Sequence, residues 1–282
     1  MNVVERLSVK SGILLAAHRG IWKNAPENSI SAIEAAIEQG VEIVEIDAQL
    51  CQSGELVVIH DEMLDRTTSE TGPVASFTAD QLRKVCLREG AGGEKALVTD
   101  EHIPMLKEVL ECVKGRIIVN IDAKRAEQLP AIVDFVEQLG AQADVIVKAV
   151  IDPFNPQLPD CLKDKPDIVF MPLLRSRKSR LVEDLQRLSE LAPSCIELSF
   201  ADIDGREAID FDELLGAELL LEKMKARIWT NTLNCVSHPD FSDSKGLGDP
   251  DSVWGQLIRF GVSIIQTDES AFLKAYLDER FA

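Results

Sequence analysis

Short aliphatic and β-branched runs alternate along the chain with longer stretches in which apolar residues recur every three to four positions. The short runs predict strands at 13–17, 41–50, 116–122, 144–150, 167–172, 195–200, 226–230 and 262–267. The longer stretches predict helices at 29–39, closed by Gly40, and at 105–113, 127–139, 156–163, 179–191, 211–225, 252–260 and 269–281. Eight strand-then-helix units in 282 residues match the (β/α)8 TIM barrel, whose usual length is about 250 residues. A doubly wound open sheet usually stops at five or six parallel strands. The expectation is therefore one α/β barrel domain spanning 1–282.

Two segments exceed what a minimal barrel needs. Residues 52–103 separate the second strand from its helix and contain the apolar run Leu56-Val-Val-Ile59. So long a connection is rarely structureless, and it predicts a small inserted subdomain after strand 2. The second segment, 231–251, is rich in Ser, Asp, Gly and Pro. Both follow strands, and barrel active sites are built at the C-terminal ends of strands.

Charge narrows the function classes. Asp and Glu number 48 against 30 Lys and Arg, a formal net charge of −18. Such a surface repels polyanions, and the longest basic run, Arg175-Ser-Arg-Lys-Ser-Arg180, is too short for a nucleic-acid stripe. No apolar stretch approaches the roughly 18–20 residues that span a bilayer, so no stable membrane insertion is expected. The six cysteines, Cys51, Cys86, Cys112, Cys161, Cys195 and Cys235, show no C-x-x-C or metal spacing. They read as buried or half-buried thiols of a reducing compartment, which favours the cytoplasm.

Acids inside core strands break the pattern, because an unpaired buried carboxylate is costly. In Val41-Glu-Ile-Val-Glu-Ile-Asp-Ala-Gln-Leu50, Glu45 and Asp47 lie two residues apart and share one strand face. The third strand repeats the device, with Asn120, Asp122 and Lys124 on one face. Glu45, Asp47 and Asp122 converging at a barrel mouth make an oxygen site for a hard divalent cation, Mg²⁺ or Ca²⁺. One such acid alone would read as a structural salt-bridge partner of Lys124 or Arg19. Two histidines end strands near these acids, His18 in Ala17-His-Arg-Gly20 and His60 in Ile59-His-Asp61. Imidazole titrates near working pH, so the two suit an acid/base pair. His102 and His238 have no such setting and read as surface residues.

The order of these elements resembles the glycerophosphodiester phosphodiesterase family. That family's pattern reads approximately H-R-G, P-E-N-T, E-x-D, D-G-x-x-V-x-x-H-D, L-x-R-T-T, G-x-V. Here stand His18-Arg-Gly20, Pro26-Glu-Asn-Ser29, Glu45-Ile-Asp47, His60-Asp61, Leu64-Asp-Arg-Thr-Thr68 and Gly72-Pro-Val74. Ser53-Gly54 replaces the usual Asp-Gly. The agreement is dense over 14–124 and thinner beyond, where it rests on Met171-Pro172, Trp229-Thr-Asn231 and Gly261 with Thr267-Asp268.

The resemblance implies a TIM barrel with an insertion after strand 2, metal ligation by Glu45 and Asp47, and catalysis by His18 and His60. It further implies phosphate binding by Arg19 and Lys124, an aromatic pocket wall at Trp229, and a supporting role for Glu27. Where the family usually has E-x-K this chain has Asp122-Ala-Lys124, as do the similar barrel toxins that act on sphingomyelin. The implied reaction is metal-assisted hydrolysis of a small glycerophosphodiester to glycerol 3-phosphate and an alcohol. Three acids against a divalent cation and two basic side chains leave a local formal charge of +1, so a small anion can be held inside an acidic protein. The alternatives are a phosphodiesterase acting on a lysophospholipid or sphingomyelin, and a non-catalytic phosphodiester-binding relative. The first would need an apolar landing surface, for which 231–251 offers Phe241 and Leu247.

Overall fold

The predicted strands are rich in aliphatic residues on both faces, the composition of strands buried on both sides. The computed structural model describes residues 2–8, 12–200, 211–234 and 239–281. Its strands are β1 (Leu14–His18), β2 (Ile43–Leu50), β3 (Leu56–Val58), β4 (Cys86–Arg88), β5 (Val98–His102), β6 (Ile118–Ala123), β7 (Val145–Ile151), β8 (Val169–Leu174), β9 (Cys195–Leu198), β10 (Arg227–Asn231) and β11 (Val262–Thr267). Its helices are α1 (Val3–Ser8), α2 (Ile30–Glu38), α3 (Ala79–Leu82), α4 (Leu106–Val113), α5 (Leu129–Gln138), α6 (Leu181–Leu188), α7 (Phe211–Met224), α8 (Asp243–Gly248), α9 (Pro250–Arg259) and α10 (Ser270–Phe281).

Nine strands share one sheet in the order β1-β11-β10-β9-β8-β7-β6-β2-β3, and β1 also pairs with β2. The eight strands other than β3 therefore close on themselves. The β2/β6, β8/β9, β9/β10 and β10/β11 ladders are parallel. This is the (β/α)8 barrel that the hydrophobic pattern predicts. The chain divides into two compact units, residues 17–147 and residues 1–16 with 148–282.

In the 17–147 unit, Ser29 caps α2 by accepting a hydrogen bond from the Ala32 N–H at 3.1 Å. The helix buries Ala32, Ile33 and Ala36. Gly20, with φ +84°, lies so close to α2 that a Cβ there would fall 2.7 Å from the Ala32 backbone. The turn after β1 is thereby pressed onto the helix. Between β2 and α4, β3 pairs antiparallel with the end of β2, matching Ala48 to Val58 and Leu50 to Leu56. β4 and β5 form a separate antiparallel pair. Leu64, Val74, Leu82, Leu87 and Ile103 of this segment pack with Val57 and Met105 in one buried cluster. Thr78 and Gln81 form a capping box that starts α3.

In the other unit, buried Arg227 at the start of β10 donates from Nε to the Leu7 carbonyl at 2.7 Å and from Nη1 to the Gly12 carbonyl at 3.1 Å. The helix expected over 156–163 is only a single tight turn, Asp160–Leu162. Pro156 and Pro159 explain the difference, since proline lacks an N–H and disfavours helical backbone before it. Conversely, α8 forms inside the polar 231–251 segment, with Ser242 as its cap. Phe241 is buried there, edge-on to Phe200 at 5.1 Å between ring centres. The five described cysteines are free thiols, buried or half-buried; Cys235 and His238 lie outside the described residues. His102 is exposed, as expected. Among the described residues, no helix is long and apolar enough to cross a membrane.

Candidate active site

The parallel register of β2 and β6 sets Glu45 beside Asn120 and Asp47 beside Asp122. Side chains of one strand face alternate, so Glu45 and Asp47 project together and Asp122 joins them from the neighbouring strand. One carboxylate oxygen from each of Glu45, Asp47 and Asp122 lies within 4.8 Å of the others. Glu45 and Asp47 are almost fully buried, and Asp122 is half-buried.

Three groups hold Asp47. Lys124 Nζ donates to Oδ1 at 2.8 Å, Asn28 Nδ2 donates to Oδ2 at 2.9 Å, and Arg19 Nε stands 3.3 Å from Oδ2. Asn28 Oδ1 also accepts the Asp47 backbone N–H at 3.2 Å. Burial alone would raise the Asp47 pKa, but Lys124, Arg19 and His60 outweigh it and keep the carboxylate well below its ordinary range. For Arg19 burial works against the charge, yet Asp47, Glu27 and Glu45 hold its pKa above the usual value. Arg19 and Asn28 both have left-handed backbone, with φ of 57° and 59°, and the Asn28 N–H donates to the Arg19 carbonyl at 2.9 Å. The two ends of the loop between β1 and α2 are thus tied to each other.

His60 lies just beyond β3, held from below by β2. Gln49, on the same face as Glu45 and Asp47, donates through Nε2 to the carbonyls of Ile59 and Asp61, each at 2.9 Å. The Ile59 N–H donates to the Asp47 carbonyl at 3.0 Å. His60 Nδ1 is 2.6 Å from Asp61 Oδ1. With Asp61 ionised, Nδ1 carries the proton and Nε2 the lone pair. Burial, together with Arg19 and Lys124, lowers the His60 pKa despite the opposing pull of Asp47 and Asp61. His60 is therefore a neutral imidazole at pH 7. Asp61 is itself held far below its ordinary pKa by hydrogen bonds from Arg66 and His60, against burial. His18 ends β1 and is buried, with its carbonyl accepting the Trp22 indole N–H at 3.1 Å.

Glu27 is buried and accepts from Arg19 Nη1 at 2.8 Å and from Arg66 Nη2 at 2.8 Å. Asn28, Gln49, Asp61 and Arg66 were not singled out by sequence. Asn28 and Arg66 lie inside the P-E-N-S and L-D-R-T-T elements, which was the available signal. Gln49 had the periodicity signal, two residues beyond Asp47. Trp229 lies in the other unit, fully buried, with its indole N–H donated to Asn231 Oδ1 at 3.1 Å. In that unit Asn231 Nδ2 donates to Glu197 Oε1 at 2.9 Å, and buried Lys148 Nζ stands 3.3 Å from Glu197 Oε2.

The donor set suits a hard cation. Three carboxylate oxygens within 4.8 Å correspond to ligands disposed about one ion at roughly 2.4 Å, and the ligand set is oxygen alone. Asp47 already accepts two hydrogen bonds, but a carboxylate has about four lone-pair positions and retains room for a metal.

Comparison with known proteins fits this geometry. The sequence pattern of the glycerophosphoryl diester phosphodiesterase family matches residues 18–192, and the chain belongs to that family. A domain of unknown function matches residues 170–277. The glycerophosphodiester phosphodiesterase of Caldanaerobacter subterraneus subsp. tengcongensis is 45% identical over 115 residues, 39% of this chain and 45% of that protein. The chain thus spans less than half the length of the first curated relatives it matches. A glycerophosphoryl diester phosphodiesterase from Parabacteroides distasonis superimposes with a TM-score of 0.75 at 20% identity, covering 99% of this chain and 93% of its own. An Oleispira antarctica phosphodiesterase, solved with sn-glycerol-3-phosphate, gives 0.68 at 22% identity, covering 94% and 96%. At these identities the likeness establishes the fold.

Proposed function

We propose that the protein hydrolyses small glycerophosphodiesters to glycerol 3-phosphate and an alcohol, using a divalent cation and two histidines. The observation that carries this reading is the placement of three carboxylate oxygens within 4.8 Å, beside a His60–Asp61 pair and the cations Arg19 and Lys124. Glu45, Asp47 and Asp122 would hold Mg²⁺ or Ca²⁺, which when bound supplies Lewis-acid polarisation of a phosphoryl oxygen. Lys124 spends one ammonium N–H on Asp47 and keeps two for a phosphate oxygen. Arg19 commits Nε toward Asp47 and Nη1 to Glu27, so its Nη2 donors serve the same purpose. Such charge-assisted bonds are about twice as strong as neutral ones. His60, neutral and with Nε2 able to accept, takes a proton from the attacking water, whose oxygen bonds to phosphorus as the bond to the alcohol oxygen breaks. His18 gives a proton to the departing alkoxide. Each transfer is typically worth about 10²–10⁴ in rate. For Trp229 as a pocket wall the support is the family resemblance alone.

The burial of Phe241 weighs against a lipid substrate, because it removes the one aromatic that 231–251 could offer a membrane surface. The free thiols favour a reducing compartment, and we place the protein in the cytoplasm. The test is a panel of glycerophosphodiesters assayed with Mg²⁺ and with Ca²⁺, read as released glycerol 3-phosphate. Turnover by the native protein and none by Glu45→Ala or His18→Ala is expected. Turnover by both variants at the native rate would sink the reading.

A further inference from the structure

Arg66 spends all five of its guanidinium donors. Nε donates to Asp61 Oδ2 at 2.7 Å, and Nη2 donates to Asp61 Oδ1 and to Glu27 Oε1, each at 2.8 Å. Nη1 donates to Glu27 Oε2 at 3.0 Å and to the Ala91 carbonyl at 2.6 Å. Two of the accepting oxygens are shared with residues of the proposed reaction. Asp61 Oδ1 is the oxygen that meets His60 Nδ1 at 2.6 Å, and Glu27 Oε1 is the oxygen that meets Arg19 Nη1 at 2.8 Å. One nitrogen of Arg66 therefore lies between the support of the base and the support of a phosphate cation.

The backbone of Arg66 is fixed as firmly as its side chain. The Gly93 N–H donates to the Arg66 carbonyl at 2.6 Å, and a Cβ on Gly92 would fall 2.2 Å from that same oxygen. Gly92 has a φ of +72°, a second reason for glycine there. The same loop reaches Glu27, whose N–H donates to the Gly90 carbonyl at 2.9 Å. Residues 90–93, at the tip between β4 and β5, thus clamp both ends of the Arg66–Glu27 contact.

We propose that Arg66 is a positioning residue that sets the tautomer of His60 and the direction of Arg19 through their shared carboxylates, held in place by the 90–93 backbone. It touches no reacting atom. An aspartate with one hydrogen bond can turn about χ2; the two-point fork from Arg66 fixes the carboxylate plane, so that Oδ1 stays on the Nδ1 side of the ring. The inference rests on the phosphodiesterase reading for its effect on turnover, and on geometry alone for its effect on His60.

The test is Arg66→Ala, followed by long-range ¹⁵N imidazole spectra at pH 8 and by steady-state kinetics on a glycerophosphodiester with saturating divalent ion. The native spectrum should show His60 as the Nδ1–H tautomer, assigned by its loss in His60→Asn. Arg66→Ala should show mixed tautomers and a kcat lowered about 10–100-fold, the usual cost of losing an outer-shell partner. The ion concentration for half-maximal activity should not move, since Arg66 bonds to none of the three metal carboxylates. If Arg66→Ala does not fold, Arg66→Lys replaces it: the charge stays, the fork is lost, and the same spectral change is expected. An unchanged His60 spectrum overturns the proposal whatever the rate does, and an unchanged rate overturns it whatever the spectrum shows. Should the native protein turn over no diester, the proposed function fails, and the spectrum alone decides whether Arg66 sets His60.

Discussion

Asn28 and Asp47 exchange two hydrogen bonds, from Asn28 Nδ2 to Asp47 Oδ2 and from the Asp47 N–H to Asn28 Oδ1. The amide thus grips a carboxylate of the candidate metal site and its backbone at once, from a left-handed position that asparagine tolerates well. Asn28→Asp keeps that backbone preference and replaces the donor with a second acceptor. It should weaken divalent-ion affinity about 10–100-fold, read as a rightward shift in the metal-activity curve. An unmoved curve would show that Asp47 is oriented by Lys124 and Arg19 alone.

A chelator should abolish phosphodiesterase activity, and added Mg²⁺ or Ca²⁺ should restore it. Asp122→Asn removes one charged ligand from the set of three and should raise the ion concentration needed for half-activity more than it changes KM for the diester. Activity that survives exhaustive chelation, with calorimetry detecting no ion binding, would remove the metal from the account.

His60 is held below its ordinary pKa by burial first and by Arg19 and Lys124 next. Its base form therefore persists below pH 6.5, and the acid limb of kcat/KM should lie beneath that value. Lys124→Met removes one of the lowering charges, so the limb should move to higher pH. The same variant lets the Asp47 pKa rise, which pushes the limb in the same direction. A pH–rate profile at saturating metal checks this; a shift to lower pH contradicts the assignment.

Asp243 is buried between strand ends, accepting hydrogen bonds from Thr232, Thr267 and the Asp268 N–H. Burial pushes its pKa up to about 6, although those hydrogen bonds oppose the shift. The native state then binds the proton more tightly than the unfolded chain, whose value is 3.8. This contribution to stability is complete below about pH 4 and is lost as pH rises through about 6. From 3.8 to about 6 at 1.36 kcal/mol per unit, the loss approaches about 3 kcal/mol. Asp243→Asn cannot titrate. Its stability relative to the native protein should improve by up to about that amount between pH 4 and pH 7, as urea midpoints at the two pH values would show. A constant difference would mean that Asp243 ionises as readily folded as unfolded.

The barrel and the clustered carboxylates were legible in the sequence for one physical reason. Glu45, Asp47 and Asp122 stand where aliphatic residues belong, and only a cation or a basic partner makes that tolerable. The parallel register of β2 and β6 that joins them was not legible, since pairing is set by tertiary packing. Arg66 and Asn28 were hidden for the opposite reason. Polar residues in loops are usual, and nothing local distinguishes one that spends five donors on buried acids. The expected 156–163 helix failed because apolar spacing was weighed above Pro156 and Pro159. α8 was missed because Gly246 and Gly248 lower helix propensity, while Ser242 caps it and Gly246 lies so near the Trp254 ring that a Cβ there would fall 3.0 Å from it, a fact of three dimensions.

Apart from Trp229, every side chain given a chemical role here falls between residues 18 and 124, inside one compact unit. The curated relative that is 45% identical matches over only 115 residues, whereas the barrel as a whole resembles its structural neighbours at 20–22%. On the proposed reading, the chemistry is concentrated in one uninterrupted stretch of the chain. Grafting residues 18–124 onto a distant relative's remaining strands tests whether that stretch is sufficient, read as release of glycerol 3-phosphate.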